Sequence, residues 1–461
     1  MMIAGNTADL SLARPAPAPE HAAPRGAVYL ATTLLVAVVL ILQSNVRDSA
    51  TSDVKLDAQV LLRLGLIAAC GLYGFVHLPR TLPSLVRFPM GLLTLFVVWN
   101  FICAIFAVRM NYSMTSTAAL MCCVMFVAAV VHTLGGRRTV ITIAASHLVW
   151  LVLTWAFFLF VPSVGRDPFN EDADLGTRLA GLMHPNGTGT FAALAVILLI
   201  VIGLQRWVSW KWLVFPMAFA GFSLWATDSR TAILTVGAAV AVLSWRLVKP
   251  AFWALGAIAG LAALMVWSAS GPTQSAVGLE DFSRTGESEE VSSLNGRTEL
   301  WSFVIREIFR SPLVGYGHGC QRFVIEEFRL NWDATHAHNV FLQVSLGGGW
   351  FCGLLLAAMF LWLFVDCLRR PDPVPDALAV AIFVGALAHA GLLGLLPDST
   401  SVLFMVALMW RTSTDIAPGA SEPLKEEQAR SAATVSRTMR RAPEPSLLTT
   451  AERIGAHRGD L

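Results

Sequence analysis

Apolar residues run in stretches of about 15–25 along most of this chain, the length a helix needs to cross roughly 30 Å of hydrocarbon. Short polar links separate the stretches. The pattern predicts about twelve membrane-spanning helices, at 26–43, 59–76, 88–107, 113–134, 140–161, 188–204, 210–225, 231–245, 251–267, 339–365, 377–395 and 400–410. A membrane β-barrel would instead alternate in polarity over short segments. The expected fold class is therefore all-α: a polytopic membrane protein with a large helical loop at 268–338, between spans nine and ten. Within that loop Leu300, Trp301, Val304, Ile305, Ile308 and Phe309 fall at helical spacing. They predict an amphipathic helix over 297–310 that lies on the membrane face, its stripe serving packing. Ser311-Pro312 ends it. Gly315, Gly317 and Gly319 then permit an irregular, close-packed turn, and a second short helix is expected at 321–330.

Basic residues fix the expected orientation. Arg14 and Arg25, Arg80 and Arg87, Arg137 and Arg138, Arg206 and Lys211, Arg246 and Lys249, and Arg369 and Arg370 all fall on one side of successive spans. That side is expected to be cytoplasmic, with both termini inside. The links 47–58, 162–187, 227–230 and 268–338 then face outward. Residues 1–25 are expected to form a cytoplasmic tail, and the first apolar run, with no clear cleavage site after it, a retained signal-anchor. The transmembrane domain is expected over 26–411. Residues 412–461, of mixed charge and poor in large apolar side chains, are expected to be a disordered cytoplasmic tail.

Composition agrees with a membrane protein: 55% of residues are hydrophobic and 14% charged, where a soluble domain is nearer a quarter charged. Net charge is only +2, which gives no reason to expect a nucleic-acid partner. Of the seven cysteines only Cys320 falls in the large outer loop, so no disulfide is expected there, and no Cys/His spacing suggests zinc. No metal or cofactor is expected.

The candidate chemistry sits in three outward polar islands. The first, Arg178 to Gly189, holds Arg178, His184 and Asn186 where the chain re-enters the bilayer. These residues either cap the next helix or hold a lipid headgroup or sugar. The second is the tight link Thr227-Asp-Ser-Arg230. An arginine so near hydrocarbon needs an anionic partner or a watery cavity; Asp228 is the local partner, and a phosphate is the functional alternative. The third is the large loop. Arg297 opens its helix, where the N-terminal field also favours an anion. His336 and His338 close the loop at the mouth of span ten. Two histidines at this spacing are weak evidence for a metal without a third ligand. An interfacial histidine can be a cap, but imidazole titrates near neutrality and can serve as a general base. Asn339 is placed to orient it or to hold a substrate hydroxyl.

In their order, these pieces resemble the O-antigen ligase and polymerase superfamily of bacterial envelope glycosyltransferases. They are Arg178…His184-Pro-Asn186, Ser229-Arg230, Gly296-Arg297-Thr298-Glu299-Leu300-Trp301, Gly315-Tyr-Gly317, and His338-Asn339 followed by Gly348-Gly-Trp-Phe-Cys-Gly353. The likeness covers roughly residues 88–410 and is nearest in wording to exopolysaccharide polymerases of the ExoQ type. It implies a glycan on polyprenyl (undecaprenyl) pyrophosphate as donor, at the periplasmic face of the bacterial inner membrane. The glycan would pass to a sugar hydroxyl of an acceptor with inversion and without a metal. The acceptor would be another lipid-linked unit in a polymerase or lipid A-core in an O-antigen ligase. It further implies His338 as base or hydroxyl-orienting group, Arg230 and Arg297 first and Arg178 after them as cations on the leaving pyrophosphate, and Arg178, His184, Asn186, His336 and Asn339 as substrate-binding. Other polysaccharide assembly or export proteins are possible partners. Two rivals stand beside this reading. A transporter or flippase of lipid-linked glycans would want ionisable residues at the bilayer midplane, and only Arg63, His147 and His389 offer themselves. A non-catalytic scaffold would not need Arg230, Arg297 or His338.

Overall fold

The computed structural model describes residues 25–42, 58–166, 178–181, 183–247, 297–327, 335–388, 392–393 and 398–416. Ala22–Ser413 form one compact unit. The described elements are helices: α1 (Arg25–Leu42), α2 (Ala58–Val86), α3 (Met90–Ile105), α4 (Met110–Leu134), α5 (Gly136–Phe160), the single turn α6 (Pro162–Gly165), α7 (Pro185–Leu204), α8 (Trp210–Ala226), α9 (Arg230–Leu247), α10 (Arg297–Arg310), α11 (Gln321–Ile325), α12 (Val340–Arg369), α13 (Pro373–Ala388) and α14 (Ser399–Ile416). One isolated bridge, Arg166 to Leu179, is the β pairing among the described residues. The protein is an all-α polytopic membrane protein. Five helices (α2, α4, α5, α7 and α12) are long and apolar enough to cross a bilayer, and α1, α3, α9 and α13 are shorter apolar helices.

Eleven of the twelve expected spans thus have a helix. The ninth (251–267), the tails 1–24 and 417–461, His389 and the loop portion 268–296 lie outside the described residues. Several boundaries shift by a few residues, and three differences change the reading. α2 continues past residue 76 through His77, Arg80 and two prolines to Val86, because helix geometry outlasts the apolar stretch that a bilayer requires. The second loop helix ends at Ile325, short of residue 330. α14 runs on to Ile416, so the first residues of the expected disordered tail are helical.

α7 is the enclosed element: 83% of its apolar window is buried, against 28% for α2. It is lined by small and aliphatic residues and packs on α5, α8, α9 and α13. α2 packs on α4, where a side chain at Gly74 would overlap the Met125 and Phe126 backbone. Small residues that let backbones approach replace the hydrophobic effect between helices in lipid. Phe75, Phe160, Phe215, Trp225 and Leu361 point outward and are exposed, the surface that a bilayer would cover. His147, buried on α5, bonds Ile143 O at 2.7 Å and Ser399 Oγ at 2.7 Å. It is a packed, hydrogen-bonded helix residue.

α12 is broken. Gly348 and Gly349 leave helical geometry, Gly349 with φ of 72°. The polar loop docks into the gap: Tyr316 N–H donates to Leu346 O at 2.9 Å and Gly317 N–H to Gly347 O at 2.8 Å. Trp350 N–H reaches Pro312 O at 2.8 Å, and Trp99 Nε1 reaches Gly348 O at 3.0 Å. Irregular backbone survives at a membrane boundary only when protein satisfies it in this way. Gly315, Gly317 and Gly319 all take positive φ, as the expected irregular turn demands.

At the other end of α12, three helices are tied by buried charge. Arg411 of α14 pairs with Asp366 of α12 at 2.8 Å and donates to Asp376 of α13 at 2.9 Å, all at most 5% exposed. Trp410 Nε1 donates to Asp372 Oδ2 at 2.8 Å.

Candidate functional site

Links between alternate spans are expected at one end of the bundle, and the described residues there are 106–109, 161–166, 178–181, 183–184 and 227–229, with loop residues 297–327 and 335–339. Contacts join several of them. Val108 N–H donates to Tyr316 O at 3.1 Å, and the Arg109 guanidinium lies 3.9 Å over the Phe323 ring. Arg109 belongs to this end, yet the charge pattern did not single it out. Counting alternate faces would have found it, since the link after span three has to face outward.

The hydrogen bonds gather the expected residues into two groups. In the first, Arg178 is the organiser. Its Nε donates to Thr227 O at 3.1 Å, and a terminal nitrogen donates to Asn186 Oδ1 at 3.3 Å and to Asp228 O at 3.4 Å. Two of the sequence islands are therefore one structural unit. Leu179 N–H adds a bond to Ala226 O at 2.9 Å. A Cβ on Gly189 would run into Ser229, so this glycine lets the 227–229 turn sit on α7. Asp228 adopts φ of 47°, which a short polar side chain tolerates. Arg230 follows as the first residue of α9, exposed at its N-terminus. His184 is the N-cap of α7, its Nδ1 accepting from Asn186 N–H at 3.2 Å. Its capping role is thus observed, and the ring is exposed.

The second group lies where α10 meets the start of α12. α10 buries Leu300, Val304 and Ile308, while Ile305 and Phe309 of the same stripe stay exposed. Glu307, 6% exposed, accepts from Arg310 at 2.6 Å and from Tyr316 OH at 2.6 Å. Burial, together with that carboxylate, pushes the Tyr316 phenol up to about 12. Arg297 is the first residue of α10 and half-buried. One turn on, Trp301 Nε1 donates to Ala337 O at 2.8 Å. That bond brings the helix headed by Arg297 onto the His336-Ala337-His338 turn. The two imidazoles lie 4.0 Å apart between centroids, and His338 holds φ of 50°. Asn339 is the N-cap of α12, its Oδ1 accepting from Phe341 and Leu342 N–H at 3.0 and 3.2 Å. That oxygen caps the helix start.

Sequence reasoning missed the polar residues that hold this turn. Gln343 Oε1 accepts from Ala337 N–H at 2.8 Å, and Gln321 Nε2 donates to Gln343 O at 3.2 Å. A glutamine early in an apolar helix carries no signal of its partner. Among the described residues no group of three or more His, Cys, Asp or Glu side chains is placed to hold a metal ion.

These features define a polytopic helical membrane protein whose polar links hold arginines at helix starts and a histidine turn. Residues 215–358 match the family model described as O-antigen ligase. The match bears out the resemblance to the O-antigen ligase and polymerase superfamily. It contains Arg230, Arg297, His336, His338 and Asn339 and leaves Arg178, His184 and Asn186 outside. The chain is also similar to a ComP-specific O-oligosaccharyltransferase of Acinetobacter baylyi (strain ATCC 33305 / BD413 / ADP1). The two are 30% identical over 78 residues, which is 16% of this chain and 14% of that relative.

Proposed function

We propose that the protein is a bacterial envelope polysaccharide polymerase. It moves a glycan from polyprenyl pyrophosphate to a sugar hydroxyl of a second lipid-linked glycan, on the periplasmic face of the inner membrane. The observation that carries the reading is the Trp301 bond to Ala337 O, which ties a helix headed by an arginine to the histidine turn. In the reaction the anomeric carbon–oxygen bond to pyrophosphate breaks and the acceptor oxygen attacks from the opposite face. The hydroxyl proton passes to the His338 imidazole. Negative charge grows on the departing pyrophosphate, and Arg297 and Arg230, each at a helix N-terminus, supply fixed positive field there. Arg178 acts on the 227–228 turn that presents Arg230. The transfer needs no metal in this reading.

Transfer to lipid A-core is the second reading, favoured by the family description of an O-antigen ligase and by a relative whose name is that of an O-oligosaccharyltransferase. Purified protein in nanodiscs, given the native lipid-linked repeat unit, separates the two. A ladder of lengthening glycans supports the polymerase. One product, formed only with lipid A-core, supports the ligase. If neither forms while the protein moves lipid-linked glycan across a bilayer, both readings fail and a transporter takes their place.

A further inference from the structure

We propose that Gln343 and Trp301 are positioning residues that act through the Ala337 peptide to aim the His338 imidazole. The proposal rests on the reading of His338 as the base. Ala337 is fully buried and lies between two histidines, outside any helix. Its peptide groups therefore need partners from elsewhere, because a buried N–H or C=O left unpaired is costly. Both partners are side chains. Gln343 Oε1 takes the N–H at 2.8 Å and Trp301 Nε1 serves the C=O at 2.8 Å. The next residue, His338, sits at φ of 50°, a region a residue with a Cβ enters only under constraint. Two ties, one on each peptide group that flanks Ala337, provide that constraint.

The ties are themselves anchored. Gln343 lies in the first turn of α12, its N–H bonded to Asn339 O at 2.9 Å and its C=O receiving Gln321 Nε2 at 3.2 Å. Gln321 is 4% exposed and fits because Gly347 has no Cβ to overlap its amide. Trp301 stands one turn beyond Arg297 on α10. The histidine turn is therefore fixed to two elements at once, the broken half of α12 and the helix that starts with Arg297. The distance between a leaving-group cation and the base is set by those two bonds. The α12 cap is a separate device: Asn339 serves Phe341 and Leu342, so loss of Gln343 Oε1 leaves it standing.

The test uses full-length protein in nanodiscs with the lipid-linked glycan donor and acceptor. Gln343→Leu, Gln343→Glu and Trp301→Phe are compared, each alone and with His338→Ala. Gln343→Leu and Trp301→Phe are expected to lower kcat about 10- to 100-fold, the cost of a base displaced by about 1 Å, with the donor KM unchanged. Gln343→Glu keeps an oxygen at the same reach and is expected to restore most of the rate. With His338→Ala already present, neither loss is expected to lower the residual rate further, since residues acting through one group are not additive. Trp301→Phe keeps the ring in place and carries the test if Gln343→Leu fails to fold. Wild-type kcat in Gln343→Leu and Trp301→Phe, or equal losses on both backgrounds, overturns the proposal. Full activity of His338→Ala overturns the base reading as well, which distinguishes the two failures.

Discussion

At the scale of single residues, polar side chains at helix starts have two possible uses that demand the same chemistry. An oxygen or ring nitrogen that can cap backbone N–H groups can also hold a substrate hydroxyl. His184 and Asn339 were legible as polar boundary residues, and the structure gives both to capping. Arg178 was legible as a cation grouped with His184 and Asn186. Its partners Thr227 and Asp228 were not, because they lie about fifty residues away and contribute backbone carbonyls, which any residue type has. The three-way contact gives a prediction. Arg178→Lys keeps the charge but cannot fork to Asn186 and two carbonyls. It is expected to cost about 2 kcal/mol of stability, the scale of a charged hydrogen bond, and to lower transfer. Thermal unfolding in detergent beside the transfer assay checks it; unchanged stability would deny Arg178 its organising role.

At the scale of elements, the apolar pattern located the helices well because a bilayer imposes length and hydrophobicity together. The break in α12 was not legible. Gly347-Gly-Gly reads within an apolar run as a flexible or close-packed stretch, and the partner that fills the gap, residues 312–317, comes earlier in the chain. The Gly315–Gly319 motif was recognised as an irregular turn, and the docking explains its composition. Gly349→Ala tests this interdependence. The residue holds φ of 72°, and an added Cβ would meet Pro312 O and Leu313 O. Strain of about 1–3 kcal/mol is expected from the backbone alone, with faster proteolysis of the 311–320 loop. Wild-type protease resistance together with wild-type stability would show that the break tolerates a side chain.

For the whole molecule, which polar islands meet was hidden in the sequence, because the contacts between them join segments far apart in the chain. The expected alternation of helix direction puts the described link residues 106–109, 161–166, 178–181, 183–184 and 227–229 and the loop residues 297–327 and 335–339 at one end, and the Arg411–Asp366–Asp376 ion cluster at the other. The proposed orientation puts the first end in the periplasm. Single cysteines at Asp228 and Leu313 in a cysteine-free background are expected to react with an impermeant maleimide in intact cells, and one at Arg137 only after lysis. Reversed accessibility would invert the orientation. The central claim is that fixed arginines and His338 act together on a lipid pyrophosphate donor. Its most direct measurement is pyrophosphate-lipid release during glycan transfer by Arg230→Gln, Arg297→Gln and His338→Ala proteins of native-like stability. The account predicts losses of about 10²–10³ for each arginine and about 10²–10⁴ for the histidine. Wild-type release from all three would contradict it.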